Sequence, residues 1–251
     1  MHRFYVDKNR IEKNAVIFEK DIEHQICNVL RLIDGNKVII FDNSGYEYLV
    51  ELRIVNSKKI HGEVLEKTKS NSESSMKISL YQSILKSRER FEYILQKCTE
   101  LGVTKFVPLV TSRTIPRFTP NAMVSKRLRW EKIIRESAEL SGRVVLPELS
   151  EIKCFNELYD MNKNSTIILW EEEEVEDIKN QLSLMVKDTT IHISGVNIIV
   201  GPEGGFDKNE IQYAKNVGAK AVSLGKRILR SDTAGIAAVT CVMYEFGQFS
   251  R

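Results

Sequence analysis

A change of hydrophobic rhythm at residues 67–75 restricts the fold of this chain more than any other feature. Upstream, apolar residues come in short runs at strand spacing: KVIIFD at 37–42, YEYLVELRIV at 46–55 and KIHGEVLE at 59–66, with the turn cluster Asp42, Asn43, Ser44 and Gly45 between the first two. Such runs punctuated by turn residues predict a small antiparallel β unit. The segment KTKSNSESS at 67–75 has no apolar residue and four serines, a composition that adds nothing to a core and predicts a linker or a long exposed loop. Downstream, strands alternate with helices. Two domains are expected, residues 1–70 and 75–251, and a chain of 251 residues is long enough for each to bury its own core.

The second domain opens with the strand KISLYQSIL, followed by a helix on which Phe91, Ile94, Leu95, Cys98 and Leu101 recur at helical spacing and which Gly102 ends. The strand KFVPLV comes next, then a long helix near 121–141, the strand STIILW, a polar helix near 175–186 and the strand NIIV just before Gly201. Strands separated by helices of this length imply βαβ units, and so an α/β fold with a mostly parallel sheet covered by helices.

The formal net charge of +3 is too small to indicate a nucleic-acid partner, but its distribution is uneven. Thirteen Lys or Arg stand against six Asp or Glu between Lys86 and Arg143, Arg90, Arg117, Arg127 and Arg129 among them. A solvated face is the ordinary meaning of such a run, and a surface that meets phosphates is the functional one. The cysteines Cys27, Cys98, Cys154 and Cys241 lie tens of residues apart with no C-x-x-C pair, and read as reduced core thiols. His2, His24, His61 and His192 are scattered, so no metal is expected. The start MHRFYVDKNR lacks an apolar signal core, and no run nears the roughly 18 apolar residues of a membrane span. A cytoplasmic protein without membrane contact is expected.

Two glycine-containing strand exits hold the candidate chemistry. Gly201-Pro202-Glu203-Gly204-Gly205-Phe206-Asp207 follows directly on NIIV, and the ends of parallel strands are where ligands bind. Glycine allows close approach of a ligand to backbone N–H groups; the plain alternative is a tight strand-to-helix turn. Asp207 and Glu210 have the spacing of a capping box for the next helix, which Gly218 closes. The second exit, Leu224 to Ala234 after AVSL, sets Arg227 and Arg230 beside apolar Ile228 and Leu229, an edge able to take a flat ring. Its plain alternative is a surface turn with Ser231 capping the last helix. Ala234, Gly235, Ala237 and Ala238 mark close helix packing, in the core or between subunits. No Walker loop, dinucleotide fingerprint or G-x-S-x-G elbow is present, which disfavours a dinucleotide-dependent oxidoreductase and the serine hydrolases.

Together these segments resemble one family, the bacterial 16S ribosomal RNA uracil-N3 methyltransferases of the SPOUT superfamily, the RsmE type. The resemblance runs through HRFYV at the start, His24 with VLRLIDG at 29–35, KSRERFEYILQKCTELGV at 86–103, SRT at 112–114, RWEKIIRESAELSGR at 129–143, GPEGGF at 201–206 and LGKRILRSDTA at 224–234. Two departures stand out: Leu140 replaces a usual Gln, and Ser231-Asp232 replaces the commoner Thr-Glu while keeping a hydroxyl and a carboxylate.

The resemblance implies a PUA-like RNA-binding β-barrel over 1–70 and, over 75–251, a SPOUT domain whose trefoil-knotted C-terminal half binds S-adenosylmethionine. It also implies a homodimer and, as RNA partner, 16S ribosomal RNA or the small ribosomal subunit. Cofactor contacts are then expected from Leu169, Glu171, Val200, Gly201, Pro202, Gly204, Gly205, Leu224, Gly225, Ile228, Leu229, Ser231, Thr233 and Ala234. Methylation at N3 requires an unstacked uridine and loss of its N3 proton. Arg230 is expected to stabilise the developing anion, with Glu203 and Asp232 both candidates for the base. RNA contacts are assigned to Arg3, Arg10 and Arg31 and to Lys86, Arg88, Arg113 and Arg143. The alternatives are a non-catalytic RNA-binding or ribosome-assembly protein, in which the glycine loops are only turns, and the same chemistry on a different base or RNA.

Overall fold

The structure, a computed structural model, describes residues 1–56, 59–116, 119–158 and 165–250, so Arg117 lies outside the described residues. The chain divides into two compact units, Met1–Glu73 with Arg135–Leu146, and Ser74–Ile134 with Pro147–Arg251.

In the first unit, strands β1 (Arg3–Tyr5), β2 (Ile11–Glu12) and β3 (Ala15–Ile17) precede helix α1 (Lys20–His24), which runs on as a π-helical turn. Strands β4 (Lys37–Phe41), β5 (Tyr46–Asn56) and β6 (Lys59–Lys69) complete a six-stranded sheet in the order β1-β4-β5-β6-β3-β2. Only β1 and β4 pair in parallel. The turn after β4 is built by Asp42, whose carboxylate accepts from the Ser44 amide at 3.1 Å and from the Tyr48 hydroxyl at 3.2 Å. Phe4, Val16, Ile26, Ile40, Val50 and Leu52 form the core, and Gly62 lets β6 close over it, since a Cβ there would lie 2.3 Å from Val50.

Residues 135–146 join this unit through specific bonds. Glu139 accepts from the Tyr5 amide at 2.9 Å, and Ala138 and Val144 pack on Phe41. Nor is the Ser-rich stretch at 67–75 a solvated linker throughout. Lys67 to Lys69 extend β6, Lys67 Nζ lies 4.4 Å from the Tyr46 ring, and Glu73 binds the Arg143 guanidinium at 2.9 Å. Composition shows such a stretch to be polar; it does not show what the polar groups bind.

The second unit begins with β7 (Ile78–Ser83), α2 (Arg88–Glu100), β8 (Lys105–Val110) and α3 (Pro120–Ser141, from Arg135 part of the first unit). There follow β9 (Glu148–Leu149), β10 (Lys153–Cys154), β11 (Thr166–Leu169), α4 (Ile178–Val186), α5 (Thr189–Ser194) and β12 (Val196–Val200). The chain ends with α6 (Lys208–Asn216), β13 (Lys220–Val222) and α7 (Ser231–Glu245). All strand pairs are parallel, in the order β10-β8-β7-β12-β11-β13 with β9 also on β8. β12 therefore lies between β7 and β11 although it follows both in the chain, an order consistent with the knotted path that the resemblance implies.

Local chemistry explains the helix limits. The Ser87 hydroxyl accepts from the Arg90 amide at the start of α2, and Phe91, Ile94, Leu95 and Cys98 give it a buried stripe. Gly102, at φ +97°, follows its end, where a Cβ would meet Met243 Cε at 2.8 Å. α7 packs against α2, α4, β7 and β12, so the last helix covers the middle of the sheet.

Candidate active site

Three neighbouring strands, β12, β11 and β13, end at one edge of the sheet and open into a cavity of about 340 Å³. Its position fits the rule that open α/β sheets bind ligands beyond the carboxyl ends of their strands. The first wall is the exit of β12. Phe206, buried and tilted against Phe155 with ring centroids 5.4 Å apart, lies under Gly201, where a Cβ would come 3.0 Å from its ring. Gly205 takes φ +68°, and the Glu171 carboxylate occupies the room that its missing Cβ leaves. The loop then passes into α6 through the expected capping box: Asp207 accepts from the Asn209 amide and Glu210 from the Asp207 amide, each at 2.9 Å.

The second wall, the exit of β13, is pinned to the start of α4. The Ser223 amide donates to Glu176 O at 2.9 Å and the Ile178 amide to Ser223 O at 3.0 Å. The third wall is the entry to α7. Arg230 holds the N-cap position without a side-chain cap, and Ser231 is the first helical residue. Ser231 therefore does not cap the helix: its buried hydroxyl donates to Gly201 O at 2.5 Å and accepts from Gln82 Nε2 at 3.0 Å, joining the first and third walls.

Of the residues expected to hold the cofactor, Leu169, Glu171, Val200, Gly201, Pro202, Gly205, Leu224, Gly225, Ile228, Leu229, Ser231 and Ala234 line the cavity. Gly204 and Thr233 do not: Gly204 turns its carbonyl to Arg113 Nη1 at 2.8 Å, and Thr233 is exposed on α7. Leu85, Arg90, Trp170, Phe206, Ser223, Lys226 and Arg227 also line it. Trp170 ends the strand STIILW and Arg227 was noted as a flanking cation; nothing in the spacing marks Leu85 or Arg90 as neighbours of the same space.

The three candidate catalytic groups all reach this lining. Arg230 Nε donates to Asp232 Oδ1 at 3.0 Å and its Nη2 to Oδ2 at 2.5 Å. Burial alone would raise the Asp232 carboxyl, but the hydrogen bond and charge of Arg230, with the Asp232 and Thr233 amides, outweigh it and hold the group below the usual carboxylate range. Glu203 is exposed on the rim, and its Oε1 accepts from the Lys86 amide at 3.0 Å.

The expected RNA contacts separate into two groups. Arg10, Arg31, Lys86, Arg88 and Arg113 reach the surface, Arg10 beside Glu19 and Arg88 paired to Glu92. Arg3 and Arg143 must be withdrawn from the set. Arg3 is spent on Glu47 at 3.0 Å and Gly142 O at 3.3 Å, and the Arg143 side chain, 5% exposed, on Glu73. A guanidinium buried on a carboxylate is a structural tie and offers little to a phosphate. Among the described residues, no group of three or more His, Cys, Asp or Glu could hold a metal ion, and no helix is long and apolar enough to cross a membrane.

A family model for an RNA methyltransferase domain matches residues 72–243, and one for an RNA methyltransferase PUA domain matches residues 23–65. Ribosomal RNA small subunit methyltransferase E of Mesomycoplasma hyopneumoniae is 34% identical, covering 96% of this chain and 98% of its own. The protein of the same name from Bacillus subtilis is 29% identical over 98% and 97%. Among solved structures, a ribosomal RNA small subunit methyltransferase E from Neisseria gonorrhoeae, bound to S-adenosyl methionine, superposes with a TM-score of 0.85 at 30% identity over the full length of both chains.

Proposed function

Because the chain belongs to the RsmE family of ribosomal RNA small subunit methyltransferases, we propose that it methylates N3 of a uridine in small-subunit ribosomal RNA with S-adenosylmethionine as donor. The observation that carries this reading is the cavity at three parallel strand ends with Arg230, Asp232 and Glu203 on its lining. The surroundings fit the donor. Apolar Leu169, Val200, Leu224 and Leu229 suit a flat ring, and Glu171 suits sugar hydroxyls. When bound, S-adenosylmethionine supplies an electrophilic methyl group, whose C–S bond breaks as the N3–C bond forms.

The chain's own residues manage the proton and the charge. Glu203 is the better base: Asp232 is already committed to Arg230 and its basicity is depressed, whereas Glu203 stands on the rim with one oxygen held by the Lys86 amide. Arg230, released from Asp232 when RNA enters, stabilises the negative charge that develops on the uracil oxygens. Arg10, Arg31, Lys86, Arg88 and Arg113 bind the phosphate backbone, and the protein works in the cytoplasm as a homodimer. Tyr244, exposed on α7, supports a subunit contact there.

The test is transfer of labelled methyl from S-adenosylmethionine to purified small subunits and to free ribosomal RNA, with the site mapped by primer extension. Methylation at N3 blocks the Watson–Crick edge and stops reverse transcription. Labelling without such a stop would place the methyl group elsewhere and refute the N3 assignment.

A further inference from the structure

Gln82, next to last in β7, is absent from every set of site residues considered so far and is not part of the cavity lining, yet it bonds directly to Ser231, which is. Its side chain is 1% exposed, and a buried carboxamide is costly unless bonded. Nε2 donates to Ser83 O at 3.2 Å and to Ser231 Oγ at 3.0 Å, and that hydroxyl donates onward to Gly201 O at 2.5 Å. The order of donors is set by chemistry. A flipped carboxamide would turn its oxygen to the Ser83 carbonyl, two acceptors face to face, and would compete with Gly201 for the single Ser231 proton.

A second observation concerns the same carboxamide. Its Oε1 has no hydrogen-bond partner among the described residues and lies over Gly235, where a Cβ would sit 2.8 Å from it. Glycine is the least favourable residue after proline inside a helix, and Gln82 occupies the room it leaves in α7. Gln82 and Gly235 thus form one packing unit.

We propose that Gln82 is a positioning residue of the transfer reaction. Through Ser231 it orients the Gly201 carbonyl, and with it the peptide at the base of the cavity, and it anchors the first turn of α7 that presents Arg230 and Asp232. The inference rests on the cofactor reading of the cavity. It predicts an effect on cofactor affinity that is separate from RNA affinity.

The experiment titrates the full-length protein with S-adenosylmethionine and S-adenosylhomocysteine by calorimetry, and measures the KM for RNA and thermal unfolding of each variant. Gln82→Met keeps length and loses the donor; it should weaken both cofactors by roughly tenfold while the RNA KM stays within about twofold. Gln82→Glu should weaken them as well, because its carboxylate takes the Ser231 proton. The double variant Q82M/S231A should lose no more than Ser231→Ala alone, since both cut the same chain of bonds. Gly235→Ala should weaken cofactor binding beside Gln82 and have no such effect in a Gln82→Ala background, a comparison that decides the matter if Q82M does not fold. Unchanged cofactor affinity in folded Q82M, losses that add in the double variant, or a Gly235→Ala effect indifferent to residue 82 would each overturn the role of Gln82. A wild-type protein that binds neither cofactor would instead overturn the reading on which it rests.

Discussion

Arg230 and Asp232 are joined by two parallel bonds, Nε to Oδ1 at 3.0 Å and Nη2 to Oδ2 at 2.5 Å, on the first turn of α7. In the proposed mechanism this pair holds the Arg230 cation on the cavity lining until another anion replaces the Asp232 carboxylate. Arg230→Ala should therefore lower kcat by about 10²–10³-fold, the usual effect of deleting a charge-stabilising donor, and change cofactor affinity much less. Single-turnover methylation alongside cofactor titration separates the two; equal losses in both would assign Arg230 to binding instead.

Glu203 and Asp232 are told apart by their pH profiles. Glu203→Gln should cost about 10²–10⁴-fold in kcat and remove the rise of rate on the acid side, because a base is lost. Asp232→Asn should cost less and keep that rise. The reverse pattern would make Asp232 the base despite its pairing with Arg230.

Arg143 and Glu73 form a buried tie within the first unit, and breaking such a pair leaves an uncompensated charge. Arg143→Ala should destabilise the fold by about 3–5 kcal/mol in denaturant unfolding. Lys86→Ala, Arg88→Ala and Arg113→Ala should leave stability nearly unchanged, and each should reduce the salt slope of RNA binding by about one. An Arg143→Ala protein of normal stability with a reduced salt slope would return Arg143 to the RNA contacts.

Glu139 provides a test in pH. Burial pushes its carboxyl up to about 7, against the pull of the Tyr5 amide and Arg135, and Glu136 and Asp21 push the same way as burial. The folded chain then holds a proton that the unfolded chain has released, so stability falls as pH rises from the ordinary glutamate range to about 7 and levels off above it. Glu139→Gln keeps an acceptor for the Tyr5 amide without the charge. Its unfolding temperature should exceed that of the wild type at pH 8, and the difference should vanish near pH 4, the ordinary glutamate range. A difference independent of pH would show that Glu139 is not the titrating group.

Caps and stripes were legible from the chain alone because they are local. The stripe of Phe91, Ile94, Leu95 and Cys98 defines α2, and the Asp207–Glu210 box defines the start of α6, each within a dozen residues. The two-residue strands β9 and β10 have too little pattern to stand alone and exist by pairing with β8. Most of the candidate cavity lining was legible for a different reason: it lies on two contiguous glycine-bearing segments after apolar strands. Leu85 and Arg90 come from a separate part of the chain, and only the sheet order brings them there.

Sequence alone determined the elements whose cause lies within a few residues: the β-rich beginning, the alternation that demands a parallel sheet, the glycine exits, and the motifs that mark the family. Tertiary structure alone decided partners. Arg3 and Arg143 look like any surface arginines until Glu47 and Glu73 close on them. Ser231 looks like a helix cap until Gln82 and Gly201 claim its hydroxyl, and residues 135–146 look like part of the second domain until Tyr5 and Phe41 bind them to the first unit. The physical reason is the same throughout: a side chain's charge and hydrogen-bonding capacity are properties of one residue, whereas burial and pairing depend on groups that folding brings from far along the chain.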